Sequence, residues 1–160
     1  MATTIRPVEQ QDNEELARVL REVLVGMGVP KVGTAYADKA LDEMFETYNF
    51  PKAEYFIVFE NGEILGGAGI AQLQAYDGPV CELQKMYLLE KSRGKGLGAK
   101  LMETCLAFAK AQHFEQVYIE TMPYMEDAQK LYVKYGFEYI DGPMGNTGHF
   151  SCPVHMLKTF

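Results

Sequence analysis

The chain has no tryptophan and only three cysteines in 160 residues. Cys81, Cys105 and Cys152 are odd in number, and no two of them form a C-x-x-C pair. This excludes a disulfide-stapled scaffold and suits a reducing, cytoplasmic setting. Long apolar runs are missing too. None approaches the roughly 20 residues a membrane helix needs, and Met1 to Pro7 lacks the apolar stretch of a signal peptide. Basic residues are scarce, 15 against 22 acidic, for a net charge of −7. Such a chain offers no broad positive field to a phosphodiester backbone, which argues against nucleic acid as a partner. There is no internal repeat, linker or low-complexity tract. The length suits a single domain, residues 1–160, around one sizeable core.

Against this acidic background one short stretch stands out: Arg93-Gly94-Lys95-Gly96-Leu97-Gly98. It follows the apolar run Val80 to Leu89 and precedes a helical stripe of Leu97, Leu101, Cys105 and Phe108. Strand, basic glycine-rich turn and helix make a phosphate cradle. Glycines permit positive φ and close backbone approach, and the free N–H groups of the helix's first turn point at an anion.

Periodicity predicts the remaining elements. A strand covers Thr3 to Val8. A helix runs from Asn13 to Val25, with Asp12 as N-cap and Glu15 completing a capping box. A second helix spans Asp38 to Tyr48, with Pro51 closing it. Strands Glu54 to Phe59 and Glu63 to Gln74 flank an Asn61-Gly62 hairpin turn. Gly66, Gly67 and Gly69 mark a bulge or a close backbone approach in the second of them. After the glycine turn and its helix come a strand at Val117 to Glu120, a helix at Ala128 to Tyr135 stopped by Gly136, and strands at Phe137 to Ile140 and Val154 to Lys158. The order β α α β β β α β α β β predicts an α/β fold, a mixed sheet with helices on its faces.

Three phosphate ligands are conceivable. A Walker loop is excluded, because Lys95 is followed by Gly96 and no Ser or Thr is placed for Mg²⁺. Gly94, Gly96 and Ala99 match a dinucleotide G-x-G-x-x-G/A, and Glu120 falls where a ribose-binding acid would sit. Four polar residues, Glu90 to Arg93, nevertheless separate the strand from the first glycine, and too little chain follows for an oxidoreductase. The third pattern, Arg93-x-x-Gly96-x-Gly98, resembles the acyl-CoA pyrophosphate motif of the GNAT superfamily of N-acetyltransferases. Glu82 to Leu88 looks like that family's central strand. Ala128-x-x-Leu131-Tyr132-x-x-Tyr135-Gly136-Phe137 resembles its second signature. The order of elements agrees from Ile5 to Lys158.

The resemblance implies a mostly antiparallel sheet of about seven strands with helices on both faces, and acetyl-CoA as acetyl donor to an amine acceptor, with no metal. It implies that Arg93, Gly94, Lys95, Gly96, Leu97 and Gly98 hold the pyrophosphate. Backbone groups of Met86, Tyr87 and Leu88 pair with the pantetheine arm, and an N–H near Met86 or Tyr87 faces the oxyanion. Ala128 and Tyr132 lie against the cofactor, with Tyr132 as general acid to the thiolate. Glu82, sharing strand parity with Gln84, Met86 and Leu88, is the candidate base or a ligand for a cationic acceptor. Tyr36 and His149 are candidates to line the acceptor pocket, and a homodimer is compatible with the architecture. Met125 stands where the family often carries an Asn that bonds the pantetheine, which leaves a non-catalytic acyl-CoA sensor as the alternative. His149-x-x-Cys152-x-x-His155 is too small a set for a metal, and a Cys152–His149 nucleophile does not suit direct transfer. The methionines are expected to fill the core.

Overall fold

The computed structural model describes residues 3–28, 31, 35–147 and 153–160. One sheet of seven strands organises the chain: β1 (Thr3–Pro7), β2 (Glu54–Glu60), β3 (Glu63–Gln72), β4 (Val80–Leu88), β5 (Gln116–Thr121), β6 (Glu138–Ile140) and β7 (Val154–Thr159), ordered β1-β2-β3-β4-β5-β7-β6. All neighbours are antiparallel except β4 and β5, which run parallel across the crossover through the helix α3 (Leu97–Ala111). The other helices are α1 (Asn13–Gly26), α2 (Met44–Tyr48) and α4 (Glu126–Lys134).

Alternation along β2 shows how both faces are covered. Tyr55 meets Tyr48 of α2 with ring centroids 5.3 Å apart, whereas its neighbour Phe56 meets Phe108 of α3 at 5.7 Å. Successive strand residues face opposite ways, so α2 and α3 lie on opposite sides of the sheet. The stripe Leu16, Val19, Leu20, Val23 and Leu24 buries α1, and Leu97, Leu101, Met102 and Cys105 bury α3. Asn61 and Gly62 both have positive φ, 55° and 77°, as the tight hairpin turn requires. Gly136, at φ 94°, closes α4: its N–H bonds the carbonyl of Val133, and the N–H of Phe137 bonds that of Tyr132.

Two expectations about helices are corrected. Asp12 and Glu15 do not form a capping box. The Asp12 carboxylate takes a bidentate pair from Arg6, at 2.9 and 3.1 Å, and the N–H of Glu9 at 2.8 Å, while Glu15 reaches across to the N–H of Ile64 at 2.8 Å. Long-range partners outcompete the local ones. The helix expected from Asp38 to Tyr48 is two pieces, a 3-10 turn at Lys39–Asp42 and then α2. Glu43 breaks it at φ −136°, ψ 49°. The second piece is capped from outside, by Asn13 Oδ1 accepting the N–H of Phe45 at 2.9 Å, and Arg21 clamps Asp42. The strand expected to reach Gln74 ends at Gln72, because Ala75 turns the chain at φ 56°.

The Arg6–Asp12 pair gives a pH dependence. Burial pushes the Asp12 carboxyl up, but the bonds from Arg6 and from the N–H of Glu9, with the Arg6 charge, outweigh it and hold the group below its ordinary value. A depressed carboxyl contributes stability that is present above its unfolded value and lost as pH falls through the folded one. Stability from this pair should therefore be intact at neutral pH and disappear below about pH 4. Denaturant midpoints measured from pH 6 to pH 2 should fall more steeply for the native chain than for Asp12→Asn. Parallel curves would show that the pair contributes nothing.

Candidate functional site

The site begins with missing side chains. On β3, a Cβ at Gly67 would stand 2.5 Å from the Tyr55 ring, and one at Gly69 would stand 2.7 and 2.8 Å from the Tyr55 and Tyr48 rings. The bare strand lets both rings lie against it. Their hydroxyls then reach β4. Tyr55 donates to the carbonyl of Lys85 at 2.7 Å and Tyr48 donates to Gln84 Oε1. Burial pushes both phenols well above their ordinary value, so they remain protonated donors.

Those bonds fix a bulge. Gly67 pairs with Tyr87 and Gly69 with Gln84, so three steps on β4 answer two on β3, and Lys85 sits at φ 51°. The bulge corrects the parity argument for Glu82. Gln84 reaches Tyr48, and the next residue, Lys85, reaches Asp38 at 3.6 Å, both on the α1–α2 side. Alternation fails at this point, so Glu82 and Gln84 do not share a face with Met86 and Leu88 by simple counting.

Beyond the bulge the sheet opens. β4 and β5 pair only over Val80–Gln116, Cys81–Val117 and Glu82–Tyr118, then diverge. The opening is a cleft walled by Leu83, Lys85, Met86 and Tyr87 of β4, Ile119, Glu120 and Thr121 of β5, Ala128 and Tyr132 of α4, and Met27, Met122 and Met125. The methionines therefore divide. Met44, Met102 and Met156 fill the core as expected, but Met27, Met86, Met122 and Met125 line the cleft. On the β5 side β4 has no ladder partner beyond Glu82, which leaves its backbone at the cleft edge.

The glycine turn adjoins this cleft. Gly94 and Gly96 have φ of 80° and 75°, and a Cβ at either would meet nothing within 4 Å. The turn is open outward, and Gly96 is the left-handed residue from which α3 starts. The N–H groups of Leu97, Gly98 and Ala99 belong to a first helical turn and have no intrahelical acceptor. A Cβ at Gly98 would stand 3.4 Å from Leu131, so α3 begins against the helix that carries Tyr132. Arg93 is exposed and donates to the carbonyl of Leu88 at 3.2 Å, and Lys95 pairs with Glu60 at 3.4 Å. Before the turn, a 3-10 segment at Glu90–Ser92 buries Ser92, whose hydroxyl bonds the carbonyl of Leu89.

Tyr132 is 5% exposed and its ring packs on Phe137 at 5.8 Å. Burial raises its phenol above the ordinary value. Glu82 is 4% exposed, accepts from Gln84 Nε2 at 2.6 Å and lies off the cleft wall. Tyr36 also lies off it, its ring beneath Arg21 at 5.8 Å and Lys31 at 5.3 Å. His149 and Cys152 fall outside the described residues, as does the first arm of the weighed metal motif. Among the described residues no group of three or more His, Cys, Asp or Glu could hold a metal. Met125 lines the cleft and its Sδ accepts from the Thr121 hydroxyl at 3.3 Å.

Sequence reading missed a polar group at the cleft's β5 wall. Tyr118 donates to Glu120 Oε2 at 2.6 Å and lies 3.0 Å from Nδ1 of His155, and Thr147 donates to the other Glu120 oxygen. Only the register Glu120–His155 between β5 and β7 brings these residues together. A period-2 reading of Val117 to Glu120 puts Tyr118 and Glu120 on one face, which was the available signal.

Comparison with known proteins bears on the family and the fold. The model of the acetyltransferase (GNAT) family matches residues 20–137. The uncharacterized N-acetyltransferase YjgM of Escherichia coli is 41% identical over 155 residues, covering 96% of this chain and 93% of that protein. An acetyltransferase of the GNAT family from Staphylococcus aureus superposes with a TM-score of 0.87 at 20% identity, over 99% of both chains. The PaiA N-acetyltransferase of Thermoplasma acidophilum, solved in complex with coenzyme A, gives 0.74 at 17% identity over 100% of both.

Proposed function

The chain belongs to the GNAT acetyltransferase family, and from that premise we propose that it moves an acetyl group from acetyl-CoA to a primary amine by direct attack in a ternary complex. The observation that carries this reading is the opening between β4 and β5, with Tyr132 inside it and an outward-open, positive-φ glycine turn beside it. The fit to a CoA-like ligand is good. Open space at Gly94 and Gly96 leaves room for a pyrophosphate, and the N–H groups of the first turn of α3 point into that space. Coenzyme A bound to the similarly folded PaiA protein supports the same ligand here.

Bound acetyl-CoA supplies an activated thioester carbonyl. Arg93 to Gly98 hold its pyrophosphate through backbone N–H groups and two cationic side chains. Backbone of Met86, Tyr87 and Leu88 takes the pantetheine arm as an added strand. Ala128 presents a small side chain to it. A backbone N–H near Met86 or Tyr87 faces the carbonyl oxygen as charge develops there. Tyr132 donates its phenolic proton to the departing sulfur. Glu82 assists deprotonation as a buried negative charge behind the acceptor end. Tyr36 and His149 are the candidates to contact the acceptor, a small-molecule or peptide amine.

Thermal unfolding with acetyl-CoA, free CoA and NADH tests the ligand. At about 100 times its Kd a ligand of the native state adds roughly 2.7 kcal/mol. Both CoA species should raise the midpoint and NADH should not. Thiol release in the presence of an amine panel then tests turnover. CoA binding without transfer to any amine would make the protein an acyl-CoA sensor instead.

A further inference from the structure

We propose that Glu120, Tyr118 and His155 form a proton exit path from the acceptor end of the cleft, in which Glu120 takes the proton the acceptor ammonium must lose and Tyr118 hands a proton on to His155. The inference rests on the acetyl-transfer reading above. Glu120 lines the cleft that holds Tyr132, yet its side chain is only 6% exposed. Both its oxygens are bonded, one by Tyr118 and one by Thr147, so it is held in one orientation. Tyr118 is fully buried, and its oxygen also receives the N–H of Met144. The phenol thus stands between Glu120 at 2.6 Å and His155 Nδ1 at 3.0 Å, while His155 keeps 13% of its side chain exposed. A carboxylate facing a cleft, a phenol and a partly exposed imidazole form a continuous line from the cleft outward.

The protons balance. An ammonium nitrogen sheds two as its C–N bond forms and the C–S bond breaks. One ends on the departing thiol by way of Tyr132. The other must leave. The Tyr118 hydroxyl turns from Glu120 to Nδ1 of His155 and gives its proton there as Glu120 passes the proton it has accepted to the phenolic oxygen, and Nε2 of His155 releases a proton to water. Tyr118 never ionises along this path. Burial and the adjoining Glu120 carboxylate push its phenol far above the ordinary value, with Glu82, its register partner on β4, adding to that effect. Glu82 is thereby a neighbouring charge and Glu120 the group in line with the cleft.

The test has a ligand-free arm and a kinetic arm. In ¹⁵N-histidine-labelled protein without ligand, the Nδ1 resonance of His155 should move in Tyr118→Phe and again in Glu120→Gln. An unchanged resonance in both would overturn the path. Kinetically, Tyr118→Phe and His155→Ala should each lower kcat by about 10-fold or more, with the KM for acetyl-CoA and the midpoint gained on binding it kept within about two-fold. Added imidazole should restore turnover in His155→Ala but not in Tyr118→Phe, which is cut upstream of His155. A purely structural role would lower stability in both variants and respond to imidazole in neither. Wild-type turnover with both variants within two-fold of it would overturn the path alone. CoA binding with no turnover on any amine would overturn the acetyl-transfer reading, and this one with it.

Discussion

Tyr132→Phe should lower kcat by about 10- to 100-fold and leave the KM for acetyl-CoA within about two-fold. The phenyl ring that packs on Phe137 is kept, so folding and cofactor binding should survive. Only the hydroxyl is lost, and among the described residues that hydroxyl has no hydrogen-bond partner. Its proton is therefore not committed elsewhere. The sequence suggested a phenol with an ordinary value near 10, but burial raises it, which makes Tyr132 a weaker acid than that reading assumed. The same desolvation acts on a thiolate leaving within the cleft. Buried Cys81 in this chain shows the direction of that effect, its thiol raised by burial first of all. Donor and acceptor rise together, so the match between them survives. Burst and steady-state rates for the two proteins across pH decide the matter. Equal kcat would remove Tyr132 from the chemistry.

Gly66→Ala should be the most damaging single methyl in the chain. Gly66 has φ 143°, and a Cβ there would lie 2.0 Å from the carbonyl oxygen of Tyr87 and 2.9 Å from the Cα of Leu88. Both obstacles are backbone, so no side chain can swing aside. Backbone strain and overpacking each cost on the order of 1–3 kcal/mol, and together about 2–6. Gly62→Ala is the control. Its φ of 77° imposes strain, but a Cβ there meets nothing within 4 Å, so about 1–2 kcal/mol is expected. Urea denaturation of both should separate them by about 2 kcal/mol or more, or leave Gly66→Ala without a folded baseline. Coincident midpoints would mean that β3 and β4 can separate at Tyr87 without loss.

What could be read from the residues, and what could not, divides by range. The Asn61-Gly62 turn, the Gly136 stop and the α3 start at Gly96 are local events, set by which residue tolerates positive φ. The apolar stripes of α1 and α3 are likewise local, since helical spacing alone decides which side chains go under. The glycines of β3 announced a close approach without naming the approaching group, because Tyr48 and Tyr55 arrive from elsewhere in the chain. Lys85 carries no mark of its φ of 51°. That conformation is imposed by the Tyr55 hydroxyl on its carbonyl and by the extra residue in the ladder. Asn13 reads as an ordinary first helical residue, yet it caps α2 32 residues away. Two of the cleft's four methionines, Met122 and Met125, sit in the stretch between β5 and α4, where core and cleft cannot be told apart by hydropathy. The Glu120 group depends on strand pairing between segments 35 residues apart, and no window of sequence contains it.

The three residue pairs that join β4 to β5 have a mechanical meaning. They make a seam. On one side lies a plate of four strands, on the other a plate of three, and beyond those few rungs the two are tied by α3, by side-chain packing and by backbone bonds at one end, from Asn146 to Gln74 and from Glu115 to Pro79. An extended ligand arm laid into the opening adds rungs where the chain supplies none. On the proposed function, occupancy stiffens the whole molecule rather than a loop at its surface, and the acetyl donor doubles as a structural member of the sheet.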